Sequence, residues 1–300
     1  MRPRVALVLG GGGSRGLAHI GVLKVLQHEA IPIDFIVATS MGGIIGVFYA
    51  LGFSADEIAG GMTKTIKLNY PVGGKLRHVG LISSRARQRR LREQLSPRLA
   101  NKTFADLNIP VTLMAVDMIS GEEVSLNEGP LLPALLATSA VPGVFPPVPL
   151  QEWQLADGGV IDSLATHVAI QQGADKIIAV DVYPSLDSEN PWNDPLNAIM
   201  GLQFPGNLLN GNGSNGKAQG PNMFSSMWRS VRIRTWHLHQ KRLDDYPPDI
   251  LMRPNVDHYG SLDFKDLSGP IEAGLSEANR HLEALRALKK LCQPLPAAQT

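Results

Sequence analysis

Three hundred residues with 28 Lys and Arg against 27 Asp and Glu carry a formal charge of +1, so no global field draws this chain to nucleic acid. Hydrophobic residues at 44% and charged residues at 18% are globular values, which exclude wholesale disorder and a collagen-like chain and leave ample material for a core. Cys292 is the single cysteine, which excludes an intrachain disulfide, a multi-cysteine zinc site and a dithiol redox centre.

The start, MRPRVALVLGGGG, has a basic opening and an apolar run. Val5 to Leu9 is short, however, and meets a glycine cluster and Arg15 with no small-residue cleavage pattern, so it reads as a first strand rather than a leader. Leu17, Ile20, Leu23 and Leu26 recur at helical spacing and predict an amphipathic helix over Gly16–Glu29. Ala30-Ile31-Pro32 ends it, Ile33–Ala38 reads as a second buried strand, and Met41–Leu51 as an apolar helix. Ser54 followed by Glu57 is a capping box that opens another helix. Arg85–Leu95 reads as a basic helix stopped by Pro97. Val111–Asp117 is a predicted strand with Glu122–Leu126 as its hairpin partner, and Leu131–Ser139 a helix ended by Pro142 and the proline-rich Val144–Pro149. Leu164–Gln172 reads as a helix closed by Gly173, and Lys176–Val182 as a further buried strand.

Beyond it, Gly201–Asn222 is dominated by Gly and Asn and is expected to be a mobile loop over its second half. A helix over Met223–Leu243, a strand over Ile250–Arg253 and a long helix over Ser268–Leu291 complete the pattern. Buried parallel strands alternating with helices predict a three-layer α/β/α sandwich around a mostly parallel central sheet. No stretch reaches the ~18 uninterrupted apolar residues of a spanning helix. Ile31–Leu51 comes nearest, but it contains Pro32, Asp34, Thr39, Ser40 and three glycines. A cytoplasmic chain is expected, with peripheral contact at a membrane surface left open.

Three places can carry chemistry. Gly11-Gly12-Gly13-Ser14-Arg15-Gly16 lies between a strand and a helix start, where tight turns aim backbone N–H groups at one point and the helix dipole adds positive potential. Gly11, Gly13 and Gly16 satisfy the G-x-G-x-x-G of a dinucleotide fold, a weak pattern by itself. No Gly-Lys-Ser/Thr follows, so a phosphate P-loop is excluded, whereas an oxyanion hole needs the same physics and stays open. Ala38-Thr39-Ser40-Met41-Gly42-Gly43 lies between a buried strand and a helix, the setting of a nucleophile elbow. Ser40 is there either as nucleophile or as helix cap. Ala38 replaces the usual first glycine of G-x-S-x-G. Asp157-Gly158-Gly159 reads first as a hairpin turn, and as a base only if burial lifts the carboxylate from its ordinary pKa of ~3.9.

Together these blocks resemble the patatin-like phospholipase family. Its G-G-G-x-R-G stands at Gly11–Gly16, its G-x-S-x-G at Ala38–Gly42 and its D-G-G/A at Asp157–Gly159. Ala137-Thr138-Ser139-Ala140-Val141-Pro142 with Phe145-Pro146-Pro147 is similar to the family's A-[ST]-x-A-x-P-x-x-F-P-P block. The resemblance runs from about Arg4 to Val182 and looks most like the small bacterial members. It implies a catalytic core over residues 4–183; composition marks a Gly/Asn-rich loop over 197–222, and the helix–strand–helix segment over 223–291 reads as completing the same domain. The resemblance implies hydrolysis of lipid acyl esters, with Ser40 as nucleophile and Asp157 as proton acceptor. Gly11, Gly12 and Gly13, supported by Arg15, would hold the oxyanion, with no cofactor and no metal.

Two other functions compete. A dinucleotide-binding oxidoreductase needs a ribose-binding acid at the end of the second strand, where Ala38, Thr39 and Ser40 stand, while Asp34 is at its beginning. An inactive family member serving as an interaction protein is disfavoured by the intact Ser40 and Asp157. A Ser-Asp-His triad would draw on His167, His237, His239 or His258, none with a local signature, and His19 is expected to pack near the glycine loop. The Asp, Glu and His positions show no metal-ligand spacing. Arg85, Arg87, Arg89, Arg90 and Arg92, with Lys75 and Arg77 upstream, read either as a solvated face or as a contact for anionic lipid headgroups.

Overall fold

The computed structural model describes residues 2–69, 84–186, 223–261 and 264–293; the expected loop over 197–222, Lys75 and Arg77 lie outside the described residues. Eight strands among the described residues form one sheet: β1 (Val5–Leu9), β2 (Phe35–Thr39), β3 (Val111–Asp117), β4 (Glu123–Leu126), β5 (Val148–Leu150), β6 (Trp153–Asp157), β7 (Lys176–Val180) and β8 (Ile250–Met252). Their order is β5-β6-β3-β2-β1-β7-β8, with β4 pairing β3 from outside this path. The pairs β1–β2, β2–β3, β1–β7 and β7–β8 are parallel, and β3 is antiparallel to β4 and β6.

Helices cover both faces. They are α1 (Ala18–His28), α2 (Met41–Ala50), α3 (Ala55–Asn69), α4 (Ser84–Leu99), α5 (Leu131–Thr138), α6 (Thr166–Gln171), α7 (Met223–Asp245), α8 (Ser268–Arg280) and α9 (Leu282–Leu291). This explains why β1 to β3 are buried at every position and apolar at all but Thr39, Thr112 and Asp117. Side chains still alternate between layers. Val5, Leu7 and Leu9 pack into the core shared with α1, α2 and α5, whereas Ala6 and Val8 join Leu164, Val168 and Leu243 on the α6–α7 side. The sandwich thus has the three layers expected.

Four local expectations change. Gly13–Leu17 is a 3-10 turn, so α1 begins at Ala18 rather than Gly16. Pro97 does not stop α4, which runs on to Leu99; the proline forgoes its own bond to the preceding turn, and the fully buried Leu99 anchors the end. The predicted helix over Ser268–Leu291 breaks at His281, whose N–H turns back to Ala278 and whose ring reaches Glu277 at 3.2 Å. Val148–Leu150 and Trp153–Asp157 pair as β5 and β6, so the Asp157-Gly158 step is not a hairpin turn; it leads from β6 into a 3-10 turn over Gly158–Val160.

Candidate active site

Sheet register brings the three sequence blocks to one edge. Leu9 lies opposite Ala38 in the parallel β1–β2 pair, so the glycine loop and Ser40 leave the sheet side by side. Thr39 lies opposite Met114, and the next residue of β3, Ala115, pairs with Asp157. Ser40 and Asp157, 117 positions apart in sequence, therefore meet across the end of β3. A Cβ built on Gly11 would stand 3.3 Å from Cβ of Ser40, which places the glycine loop against the nucleophile candidate.

Ser40 has φ 55 and ψ −121, a left-handed conformation that side chains rarely adopt. Holding it there costs about 1–3 kcal/mol, the strain of a sharp strand-to-helix elbow. Its hydroxyl makes no cap bond to α2, which removes the capping reading. Gly42 makes the turn feasible, because any side chain there would run into the carbonyl oxygen of Leu9. Ala38 keeps an ordinary negative φ and is buried, so its methyl is accommodated where the family has glycine. Met41 packs its side chain against Gly16, joining elbow and glycine loop.

Asp157 is 5% exposed. Burial pushes its carboxyl up to about 6, against the opposing pull of hydrogen bonding with the Ser40 side chain and with the Gly159 N–H at 2.8 Å. This is the environment a carboxylate base requires.

The glycine loop divides its N–H groups. Gly11 N–H donates to the Ser163 carbonyl at 2.9 Å and Ser14 N–H to the Ser261 carbonyl at 2.7 Å, so both are consumed internally. Gly12 and Gly13 N–H have no backbone partner among the described residues. Gly13, at φ 60, takes a backbone shape suited to glycine, and a side chain there would strike the Ser261 carbonyl. Arg15 is 7% exposed and donates to the Tyr259 carbonyl and the Ser261 hydroxyl, both at 2.7 Å. Burial, then the nearby Arg232 cation, lowers its pKa to about 10, so it stays charged at neutral pH. Its hydrogen bonds shape the loop, and its charge adds positive potential.

Two residues escaped the motif reading. Ser163 grips Gly11 twice, through its carbonyl and through a hydroxyl that donates to the Gly11 carbonyl at 2.8 Å. Thr138 accepts the Ser40 N–H at 3.0 Å. The fourth block carried a signal for Thr138, but not its partner.

Among the described residues no hydrogen bond joins a histidine to Ser40 or Asp157. His19 bonds the Gly10 carbonyl at 2.7 Å, and burial lowers its pKa to about 4, so it is a neutral donor. His239 bonds Asp181 at 3.0 Å, while His237 and His258 lie against Trp236 and Tyr259. Hydrogen bonds to Asp162 and Glu123 raise His167 to about 9. Glu123, Asp162 and His167 stand at metal-ligand spacing, which the sequence did not foreshadow. Arg242, however, donates to Glu123 at 2.9 Å and to Asp162 at 3.0 Å. Two cations thus balance two carboxylates, and a metal would have to displace them. Asp34 bonds Arg2 and the Val5 N–H at the opposite end of β2, away from the glycine loop.

The model of the family described as patatin-like phospholipase matches residues 7–170 of this chain. An NTE family protein of Mycobacterium bovis is 34% identical over 183 residues, covering 60% of this chain and 49% of the relative. A lysophospholipase of Aspergillus fumigatus is 28% identical over 310 residues, covering 97% of this chain and 19% of the relative. This chain therefore spans about half the length of the first relative and about a fifth of the second. Among solved structures, VipD from Legionella pneumophila shares the fold with a TM-score of 0.51 at 12% identity, over 94% of this chain and 67% of that one.

Proposed function

Because the chain belongs to the patatin-like phospholipase family, we propose that it hydrolyses carboxylic esters of lipids by a Ser40–Asp157 dyad. The observation that carries this reading is the strained, buried Ser40 beside a buried carboxyl raised to about 6. Asp157 takes the hydroxyl proton as Ser40 Oγ attacks the ester carbonyl. The oxyanion is held by the N–H groups of Gly12 and Gly13, with Gly11 and Arg15 shaping the loop around it. Collapse of the tetrahedral intermediate passes the proton from Asp157 to the departing alcohol. Water, deprotonated by Asp157, then releases the acid and restores Ser40. The Aspergillus relative's name supports a lysophospholipid or phospholipid ester as substrate class.

A fluorophosphonate probe tests the reaction class. Covalent labelling is expected at Ser40, together with turnover of acyl esters; labelling elsewhere, or none, would reject it. The dinucleotide reading loses ground because Asp34, the acid that adjoins the second strand in sequence, is engaged at the wrong end.

Contact with an anionic membrane surface is proposed through α4. Arg85, Arg89, Arg90 and Arg92 are exposed there, and among the described residues the one acidic partner is Glu93, 3.8 Å from Arg89. Such a surface gains about 1 kcal/mol per cation near anionic lipid. Among the described residues no helix is long and apolar enough to cross a membrane. Hydrolysis is expected to be faster on anionic than on neutral vesicles, and Arg85, Arg89 and Arg90 changed together to Gln should abolish the difference. Hydrolysis of a water-soluble ester should be unchanged in that variant. A preference that persists would move the contact to α7, where exposed Met227 and Val231 lie among Arg229, Arg232 and Arg234.

A further inference from the structure

We propose that the turn Thr138–Ala140 is a clasp that sets the spacing of Ser40 and Asp157, with Thr138 a positioning residue acting through its hydroxyl; this rests on reading those two as the reacting pair. The turn holds the backbone of both. Thr138 Oγ1 accepts the Ser40 N–H at 3.0 Å, and two residues later the Ala140 carbonyl accepts the Asp157 N–H at 3.1 Å. Thr138 also donates its hydroxyl proton to the Met114 carbonyl at 2.6 Å. Met114 lies opposite Thr39, and its neighbour Ala115 opposite Asp157. One hydroxyl thus ties the elbow to the strand that carries the register of Asp157.

Ser40 needs such a tie. Ser40 stands between the end of β2 and the start of α2, where its N–H has no backbone partner among the described residues, and the residue is buried. A buried N–H without a partner costs about 1–3 kcal/mol, on top of the strain of the elbow. Thr138 is fully buried at the last position of α5. A Cβ on Gly43 would stand 3.2 Å from the Thr138 γ-methyl, so the methyl packs against α2 while the hydroxyl faces Ser40 and Met114. A β-branched side chain has few χ1 choices, and packing the methyl aims the hydroxyl. Ser139, between the two contacts, leaves its own buried hydroxyl without a partner among the described residues.

The test compares variants of the whole chain by kcat and KM on a p-nitrophenyl acyl ester, by the rate of fluorophosphonate labelling at Ser40, and by thermal midpoint. Thr138→Val keeps the shape and removes the hydroxyl. It should lower kcat and the labelling rate together by ~30–100-fold, because a small misplacement of reacting groups has that cost, with KM within ~3-fold. Thr138→Ser should stay within ~5-fold of wild type and Ser139→Ala within ~3-fold, since the first restores the hydroxyl and the second removes an unpaired one. A folded Thr138→Val with kcat within ~3-fold of wild type would overturn the clasp. So would a Thr138→Ser as impaired as the valine, which would leave only packing. Should the valine variant not fold, Thr138→Ala and Thr138→Ser differ by the hydroxyl alone, and equal kcat in that pair rejects the proposal. Activity surviving in Ser40→Ala would instead reject the dyad, a separate result.

Discussion

Ser40→Ala and Asp157→Asn are each expected to lower kcat by at least ~10³, about 4 kcal/mol of transition-state stabilisation, with the double variant little worse than either. The two act as one proton-transfer unit, so losing either member idles the other. Asp157→Asn retains an oxygen to accept the Gly159 N–H, now bonded to Oδ1, so the 3-10 turn survives and the loss reports the missing base. Histidine variants form the contrast. His167→Gln, His237→Gln, His239→Gln and His258→Gln should each stay within about tenfold of wild type, far from the loss a triad histidine would bring. The structure gives the reason for the two most buried of them. His239 is committed to Asp181, and His167 to Glu123 and Asp162. Steady-state kinetics on variants with wild-type circular dichroism decides the matter. A histidine variant as inactive as Ser40→Ala would replace the dyad with a triad.

The raised carboxyl of Asp157 predicts opposite pH trends for activity and stability. Activity needs the ionised base, so kcat/KM should fall about tenfold per unit below pH 6, close to a hundredfold by pH 4, and level off above pH 7. Stability runs the other way. With a folded pKa near 6 against 3.8 unfolded, the native state holds the extra proton between those values, so this group's contribution is lost as pH rises through that window. The cost of ionising Asp157 in place is on the order of 3 kcal/mol at pH 7. Asp157→Asn never incurs it. Urea unfolding should find that variant more stable than wild type at pH 7 and nearly equal to it at pH 4. Equal stability at both pH values would place the carboxyl in contact with water and remove its claim to a raised pKa.

The basic helix α4 shows how far local reading reaches. Its existence and charge follow from composition, but the continuation through Pro97 depends on Leu99 finding the core. The break at His281 likewise has no Gly or Pro to announce it, and it coincides with a contact between His281 and Glu277. β5 carries almost no periodicity in its three residues around Pro149, and pairing with β6 rather than propensity makes it a strand.

The sequence by itself determined the alternation of buried strands and helices, the glycine loop and the elbow at Ser40. Each of these is local backbone chemistry, written in consecutive residues: glycines where a chain turns or approaches closely, and small residues where a strand bends into a helix. Only the tertiary structure decided which N–H groups of the loop remain unclaimed, since Ser163 and Ser261 take those of Gly11 and Ser14. It alone turned Arg15 toward Tyr259 and Ser261, and set Thr138 against Ser40 across 98 positions of sequence. These are pairings between distant segments, chosen by strand register and by the need to satisfy every buried polar group at once, and no spacing within one segment encodes them.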